Sequence, residues 1–394
     1  MRDPSSELAA MEASGLRRSL RTLQGPQAPE VRLNGRTVVN FSSNDYLGLA
    51  NAEVVKAALQ QAVAVHGAGA GASRLVSGTL SPHSELEAAL ARLKGTEAAL
   101  CFSSGYAAAV GTLTALLRPG DIVILDKLCH ASLVDGAKLS GATIRVFPHN
   151  HMEKLARLLD WAVRMAGVDG RTLVVTESVF SMDGDWADLT EIVRLKEACG
   201  AWLLVDEAHA FGILGKGGRG LANKLALAAR IDLHLGTLSK AAGLSGGFVC
   251  SRRDVIDLLA NRARSFVYST APPPALAAAA CAVVERILPT SIGDRRRHLL
   301  WQRVEAFVHA MGGTIHAAES AILPLIIGDE AAAVECSTKL LEQGFLVPAI
   351  RYPTVARGKA RLRVTFSADH AESQVGALAA ALQRAGISGR TPVG

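Results

Sequence analysis

Three short apolar runs in the chain end in side chains able to do chemistry. Trp202-Leu203-Leu204-Val205 leads to Asp206-Glu207-Ala208-His209, and the run at 233–235 leads to Gly236-Thr237-Leu238-Ser239-Lys240. The run at 172–176 leads to Glu177, with Ser181 and Asp183 close behind. If the three are parallel strands of one sheet, carboxylates, an imidazole, hydroxyls and an amine meet at one rim, because ligands of such sheets bind at the carboxyl ends of the strands. A fourth run, 98–102, passes into Ser103-Ser104-Gly105-Tyr106 and then an apolar helical pattern. Amides at that helix start, with a glycine permitting close approach, suit an anion such as phosphate.

Two competing readings fail on spacing. An apolar run ending in Asp-Glu is also the second nucleotide motif of an ATPase, but that enzyme needs a G-x-x-x-x-G-K-[ST] loop for the phosphates. Gly215-Lys216-Gly217 has neither that spacing nor the hydroxyl. Gly67-Ala68-Gly69-Ala70-Gly71-Ala72 formally fits a dinucleotide fingerprint, which requires a strand before and a helix after. A helical pattern precedes it here and Ser73-Arg74-Leu75-Val76-Ser77-Gly78 does not open a helix, so it reads as a Gly-rich, substrate-facing turn. The remaining set matches what pyridoxal 5'-phosphate (PLP) demands. Lys forms a Schiff base, a carboxylate keeps the pyridine nitrogen protonated so that the ring draws electrons, and helix-start amides hold the phosphate.

The elements that must position these residues alternate. Strands are expected at 98–102, 122–125, 143–147, 172–176, 202–205, 233–235 and 247–250, with helical patterns such as 151–163 and 189–199 between them. That rhythm predicts an α/β fold with a mostly parallel, doubly wound sheet. From about residue 288 the elements are fewer and longer: helices at 297–311 and 331–343, strands at 322–327 and 361–365, and a last helix opened by Ser367-Ala368-Asp369. The expected organisation is an N-terminal helix and arm at 1–40, a large α/β domain at 41–287 and a smaller α+β domain at 288–394.

Composition limits the alternatives. The chain has 394 residues, 49% hydrophobic, 5% aromatic and 20% charged, so its core is built of Ala, Val and Leu, and a disordered chain is excluded. The longest apolar run, residues 275–284, is half of the roughly 20 residues a bilayer span requires, so no membrane association is expected. The first thirty residues carry both charges and no apolar stretch, against a secretory signal. Six cysteines without a C-x-x-C pair suit free thiols in a cytoplasm, with no metal site. The formal charge of +6 fits nucleic acid or anionic small molecules; Arg17-Arg18 and Arg295-Arg296-Arg297 lack interleaved aromatics and read as solvated helix faces, so no nucleic-acid partner is expected. His149 and His151 read as exposed turn residues.

The strings also carry a family resemblance over residues 15–385, in order. Thr237-Leu238-Ser239-Lys240-Ala241-Ala242-Gly243 resembles the lysine motif of the α-oxoamine synthases, PLP enzymes of fold type I. Phe41-Ser42-Ser43-Asn44-Asp45-Tyr46-Leu47-Gly48-Leu49, His130-Ala131-Ser132-Leu133, Val179-Phe180-Ser181-Met182-Asp183-Gly184 and Tyr268-Ser269-Thr270 resemble further motifs of that family. Within it, Ile350-Arg351-Tyr352-Pro353-Thr354-Val355 and Ala360-Arg361-Leu362-Arg363 are most similar to the branch that condenses L-alanine with a pimeloyl thioester (CoA or carrier protein) in biotin synthesis, releasing CO2. Branches that use glycine, of the 2-amino-3-ketobutyrate CoA ligase and 5-aminolevulinate synthase types, remain the alternative.

The resemblance implies roles residue by residue. Lys240 is the Schiff-base lysine and proton-transfer base, Asp206 pairs with the pyridinium nitrogen, and His209 and Ser181 contact the ring oxygen. His130 stacks on the ring, and Gly105, Tyr106 and Thr237 hold the phosphate, with Thr270 joining from the neighbouring subunit of a homodimer. Arg351 clamps the amino-acid carboxylate, with Thr354 beside it, and Asn44 and Arg17 lie near the substrate and thioester entrance. Ala210, where many members carry Gly, and Phe211 add bulk after His209 and bear on acyl-chain preference.

Overall fold

The computed structural model describes residues 3–165, 167, 170–312 and 318–387; residues 1–2 and 388–394 of the expected terminal segments lie outside these. The described residues form two compact units, Asp45–Ser181 with Asp185–His298, and Met1–Asn44 with Met182–Gly184 and Leu299–Gly394.

The first unit is built on a seven-stranded sheet. In chain order its strands are β1 (Ala98–Phe102), β2 (Ile122–Asp126), β3 (Thr143–Phe147), β4 (Thr172–Glu177), β5 (Trp202–Asp206), β6 (Leu233–Thr237) and β7 (Gly247–Ser251). They lie in the order β1-β7-β6-β5-β4-β2-β3. β7 is antiparallel to both neighbours and the other pairs are parallel. β1, β2, β6 and β7 are buried throughout, which is why 98–102 and 122–125 read as continuous apolar runs without alternation. β3 forms one edge and keeps Thr143 and Arg145 exposed, a polar edge that discourages pairing with another chain. The adjoining helices are α1 (Gly105–Leu116), α2 (Ala131–Ser140), α3 (Met152–Met165) and α4 (Leu189–Ala198).

Several expected strands run one or two residues further than their apolar runs. Glu177, Asp206 and Thr237 are strand residues whose backbones are still paired, Glu177 opposite Asp206 and Thr237 opposite Gly247. The ladder therefore fixes these side chains at the rim more firmly than loops would. The residue after Phe102 opens a turn to α1, whose N-cap Ser104 accepts from the amide of Ala107 at 3.1 Å. Ala-rich α1 lies close against α2: a Cβ on Gly136 would meet Leu113 Cδ1 at 2.9 Å.

The second unit holds two small sheets. One has the order Leu23–Gln24, Glu30–Leu33, Arg36–Asn40 and Phe345–Leu346. Its central hairpin turns at Asn34-Gly35, both with positive φ, the dipeptide that a two-residue turn between twisted strands prefers. The other joins Ile322–Gly328, Ala360–Thr365 and Ala349–Ile350. The last helix begins at Glu372, later than its sequence signal. Ser367–His370 instead forms a closed turn in which the Ser367 amide donates to His370 Nδ1 at 2.9 Å and His370 Nε2 donates to the Asn40 carbonyl at 3.1 Å. Burial holds this imidazole at about 4, against those bonds, so it is neutral at pH 7.

Candidate active site

The first unit gathers the expected cofactor residues at the carboxyl ends of β4, β5 and β6. Lys240 follows β6, and its Nζ lies 2.7 Å from His209 Nε2. His209 Nδ1 in turn lies 2.6 Å from Tyr46 Oη, and Tyr46 is fully buried. The relay joins Lys240 to Tyr46 through the two ring nitrogens of His209, each of which donates or accepts according to the tautomer. Asp206 ends β5 and accepts from the Ala208 amide at 2.9 Å. Burial pushes its carboxyl up, opposed by the Lys240 charge, the Ala208 amide and His130.

The remaining groups sit on turns beside these strands. His130 caps α2, its Nδ1 2.8 Å from Ser132 Oγ. Burial is the main cause lowering its pKa; Asp206 opposes this and Lys240 adds to it. Thr237 Oγ1 donates to the Gly246 carbonyl at 2.8 Å and lies 2.7 Å from Ser239 Oγ. A Cβ on Gly105 would stand 3.5 Å from Thr237 Cβ, so the start of α1 and the end of β6 are neighbours. Tyr106 is exposed and donates to Asp135 at 2.9 Å. Ser181 occupies the turn after β4, and Thr270 pairs with Ser73 in an isolated bridge.

The second unit holds the expected substrate residues. Arg17, Arg351 and Thr354 line one cavity of about 660 Å³, together with Arg18, Arg21 and Ser42. Arg351 Nη2 donates to the Arg17 carbonyl at 3.1 Å, while the Arg17 side chain pairs with Glu12 at 3.1 Å. It is Arg18 that reaches Thr354 Oγ1, at 2.9 Å. Asn44 does not line that cavity; it accepts from both terminal nitrogens of buried Arg363, at 3.3 and 3.2 Å. Asp183 is held by Arg361 at 2.6 Å.

Two expectations from sequence are corrected. His149 is half-buried and bonded on both sides, Nδ1 to Asp126 at 3.1 Å and Nε2 to Asp185 at 2.8 Å. Burial alone lowers its pKa, but the bonds and charges of the two carboxylates outweigh burial and hold it at about 10. Of the arginine run only Arg295 is exposed: Arg296 donates to the Leu47 carbonyl at 2.6 Å, and buried Arg297 to those of Leu288 and Gly212 at 2.9 and 3.2 Å. Local charge runs cannot reveal that a guanidinium is folded inward onto carbonyls. Phe211 is also turned into the core, edge-on to Phe248 at 5.0 Å.

The sequence reading assigned no role to Tyr46, Ser239, Arg18 or Lys94. Lys94 forms a buried ion pair with Glu207, which also accepts from the Ala222 amide at 3.0 Å. Burial favours the neutral form of Glu207, but Lys94 and His234 outweigh it and hold the carboxyl at about 2. Tyr46 had a signal, since it lies in the Asn44-Asp45-Tyr46 string; Lys94 had none.

An amine, a strand-end carboxyl, an imidazole and a glycine-opened helix start form a donor set that fits PLP. The fold and this site define a PLP-dependent enzyme of fold type I, and residues 36–382 match the model of the aminotransferase class I and II family, to which the chain belongs. Its sequence is 47% identical over 388 residues to the 8-amino-7-oxononanoate synthase of Geobacter sulfurreducens, covering 98% of each chain. Among solved structures it is similar to a serine palmitoyltransferase variant from S. paucimobilis with a PLP–myriocin aldimine bound, at 30% identity, TM-score 0.90 and 98% of each chain. It is also similar to the 8-amino-7-oxononanoate synthase of Francisella tularensis, at 27% identity and TM-score 0.74, over 88% of this chain and 97% of that one.

Proposed function

We infer that the chain catalyses the decarboxylative condensation of L-alanine with a pimeloyl thioester, CoA or carrier-bound, giving 8-amino-7-oxononanoate, the free thiol and CO2 in biotin synthesis. The observation that carries this reading is the Tyr46–His209–Lys240 relay beside Asp206, in a chain whose relatives carry that enzyme's name.

Lys240 would hold PLP, which when bound would supply an electron sink for the pair left at the amino-acid Cα. Asp206 would hold the pyridine N–H, Gly105, Tyr106 and Thr237 would hold the phosphate, and His209 and Ser181 would hold the ring oxygen. His130, whose pKa burial lowers, would lie against the ring. The Lys240 amine removes the Cα proton and later returns one, and its bond to His209 Nε2 fixes where that proton is handled. Arg351 clamps the alanine carboxylate with paired donors that an ammonium lacks. Thr354, Asn44 and Arg17 serve the substrate and thioester entrance. Positioning both substrates supplies much of the rate advantage.

The active form is a homodimer in which Thr270 joins the phosphate of the partner's site. Thr270 stands beside Val76 and Tyr268, which are 80% and 74% exposed, an apolar surface suited to a second copy. The cell compartment is the cytoplasm, where the six free cysteines stay reduced.

The test is direct. Purified protein given PLP turns yellow, borohydride fixes the cofactor to Lys240, and Lys240→Ala abolishes turnover. Thiol release is fastest with L-alanine and pimeloyl-CoA. Colourless protein after PLP treatment refutes the enzyme reading, and preference for glycine with acetyl-CoA refutes the substrate assignment.

A further inference from the structure

Four buried carboxyl groups stand together at the rim of the sheet: Asp126 at the end of β2, Glu177 at the end of β4, Asp206 at the end of β5, and Glu207 next to it. Three of them have their charge answered. Glu207 is paired with Lys94. Asp126 accepts from His149 Nδ1 at 3.1 Å and from the amides of Leu128 and Asn150 at 2.8 and 3.1 Å. Asp206 has the Ala208 amide, and both Lys240 and His130 favour its charge.

Glu177 is the exception. It is 3% exposed, sits in register opposite Asp206, and one of its oxygens, Oε1, has no hydrogen-bond partner among the described residues. The backbone amide of His130 faces its carboxyl and favours the charged form. The charged and titratable groups that act on it are Asp206, Asp126 and Lys240, with buried Cys129 on the turn before His130. Lys240 is the one cation among these, and its charge acts on Asp206 as well. Burial, and then the Asp206 charge, push the Glu177 carboxyl well above its ordinary range. Adjacent buried carboxylates cannot both ionise without a large penalty, so one keeps its proton. Asp206 has the better donors, which leaves the proton on Glu177. A neutral acid also makes the unpartnered Oε1 far less costly than a bare buried charge.

We propose that Glu177 is a positioning residue that works as the neutral acid, accepting the His130 amide and so holding the turn that bears His130 beside Asp206 without adding a second negative charge there. The role rests on the PLP reading given above; the protonation state does not.

Infrared difference spectra of the purified protein, wild type against Glu177→Gln, test protonation whether or not PLP is bound. The expected result is a protonated-carboxyl C=O band near neutral pH in wild type that is lost in the variant. In the holoenzyme, Glu177→Leu removes the acceptor and weakens PLP binding about tenfold, the scale of one lost buried hydrogen bond. Glu177→Gln, neutral and still an acceptor, restores PLP affinity, kcat and the pH profile of the bound-cofactor absorbance to within about threefold. Absence of the band in wild type overturns the proposal, as does a Glu177→Gln holoenzyme with a shifted pH profile and kcat down by about thirtyfold or more, about 2 kcal/mol. If Glu177→Leu does not fold, the band and the glutamine variant decide. Wild-type protein that takes up no PLP refutes the enzyme reading and leaves the infrared result standing.

Discussion

At the scale of single residues, the rim is governed by which carboxyl has a cation. His149 shows the consequence for stability. Two carboxylates raise its folded value from an ordinary 6.5 to about 10, so the folded state binds this proton more tightly than the unfolded chain. The stabilisation is fully present below pH 6.5 and is lost as pH rises towards 10. The difference in melting temperature between wild type and His149→Gln should therefore be greatest near pH 6 and shrink by pH 10. A difference that is independent of pH contradicts the paired imidazolium. The buried Lys94–Glu207 pair makes the complementary case: Lys94→Met leaves an unpaired buried carboxylate and should cost about 3–5 kcal/mol, measured by chemical denaturation. The Lys94→Met, Glu207→Gln double variant should recover much of that loss.

At the scale of elements, the catalytic geometry depends on backbones lying closer than side chains would permit. β7 passes the start of α1 at Gly247, where an added Cβ would sit 2.3 Å from the Ser104 carbonyl oxygen. That contact is with backbone, so no rotamer change relieves it. Gly247→Ala should shift Ser104 and Gly105 and weaken PLP binding more than it lowers the melting temperature relative to a buried truncation such as Leu204→Ala, which costs about 2–5 kcal/mol. Paired PLP titrations and thermal melts of the two variants separate the effects. The strand runs and the helix start at Ser104-Gly105 were legible from sequence because each is a local preference, whereas the Asn34-Gly35 hairpin lies in a segment read as a helix and arm. The late start of Glu372–Arg384 was not legible either, because the turn before it is held by His370 reaching the distant Asn40 carbonyl.

At the scale of the whole molecule, the homodimer reading predicts a solution mass of twice 41.3 kDa. Placing a charge in the proposed contact, with Val76→Glu, should yield monomers that bind PLP more weakly because Thr270 is no longer supplied in trans. Light scattering with PLP titration checks both parts, and a Val76→Glu monomer with full affinity removes Thr270 from the site. The sequence by itself determined the α/β rhythm, the strand ends bearing Asp206 and Lys240, and the motifs that led to PLP, because these are encoded in residue type and short-range spacing. Tertiary structure alone decided which charges are answered. It put Lys94 on Glu207, His149 between two aspartates, Arg296 and Arg297 on backbone carbonyls, and left Glu177 to share Lys240 with Asp206. Those outcomes depend on burial and on partners tens to hundreds of residues away, and the low dielectric inside the fold makes each of them decisive.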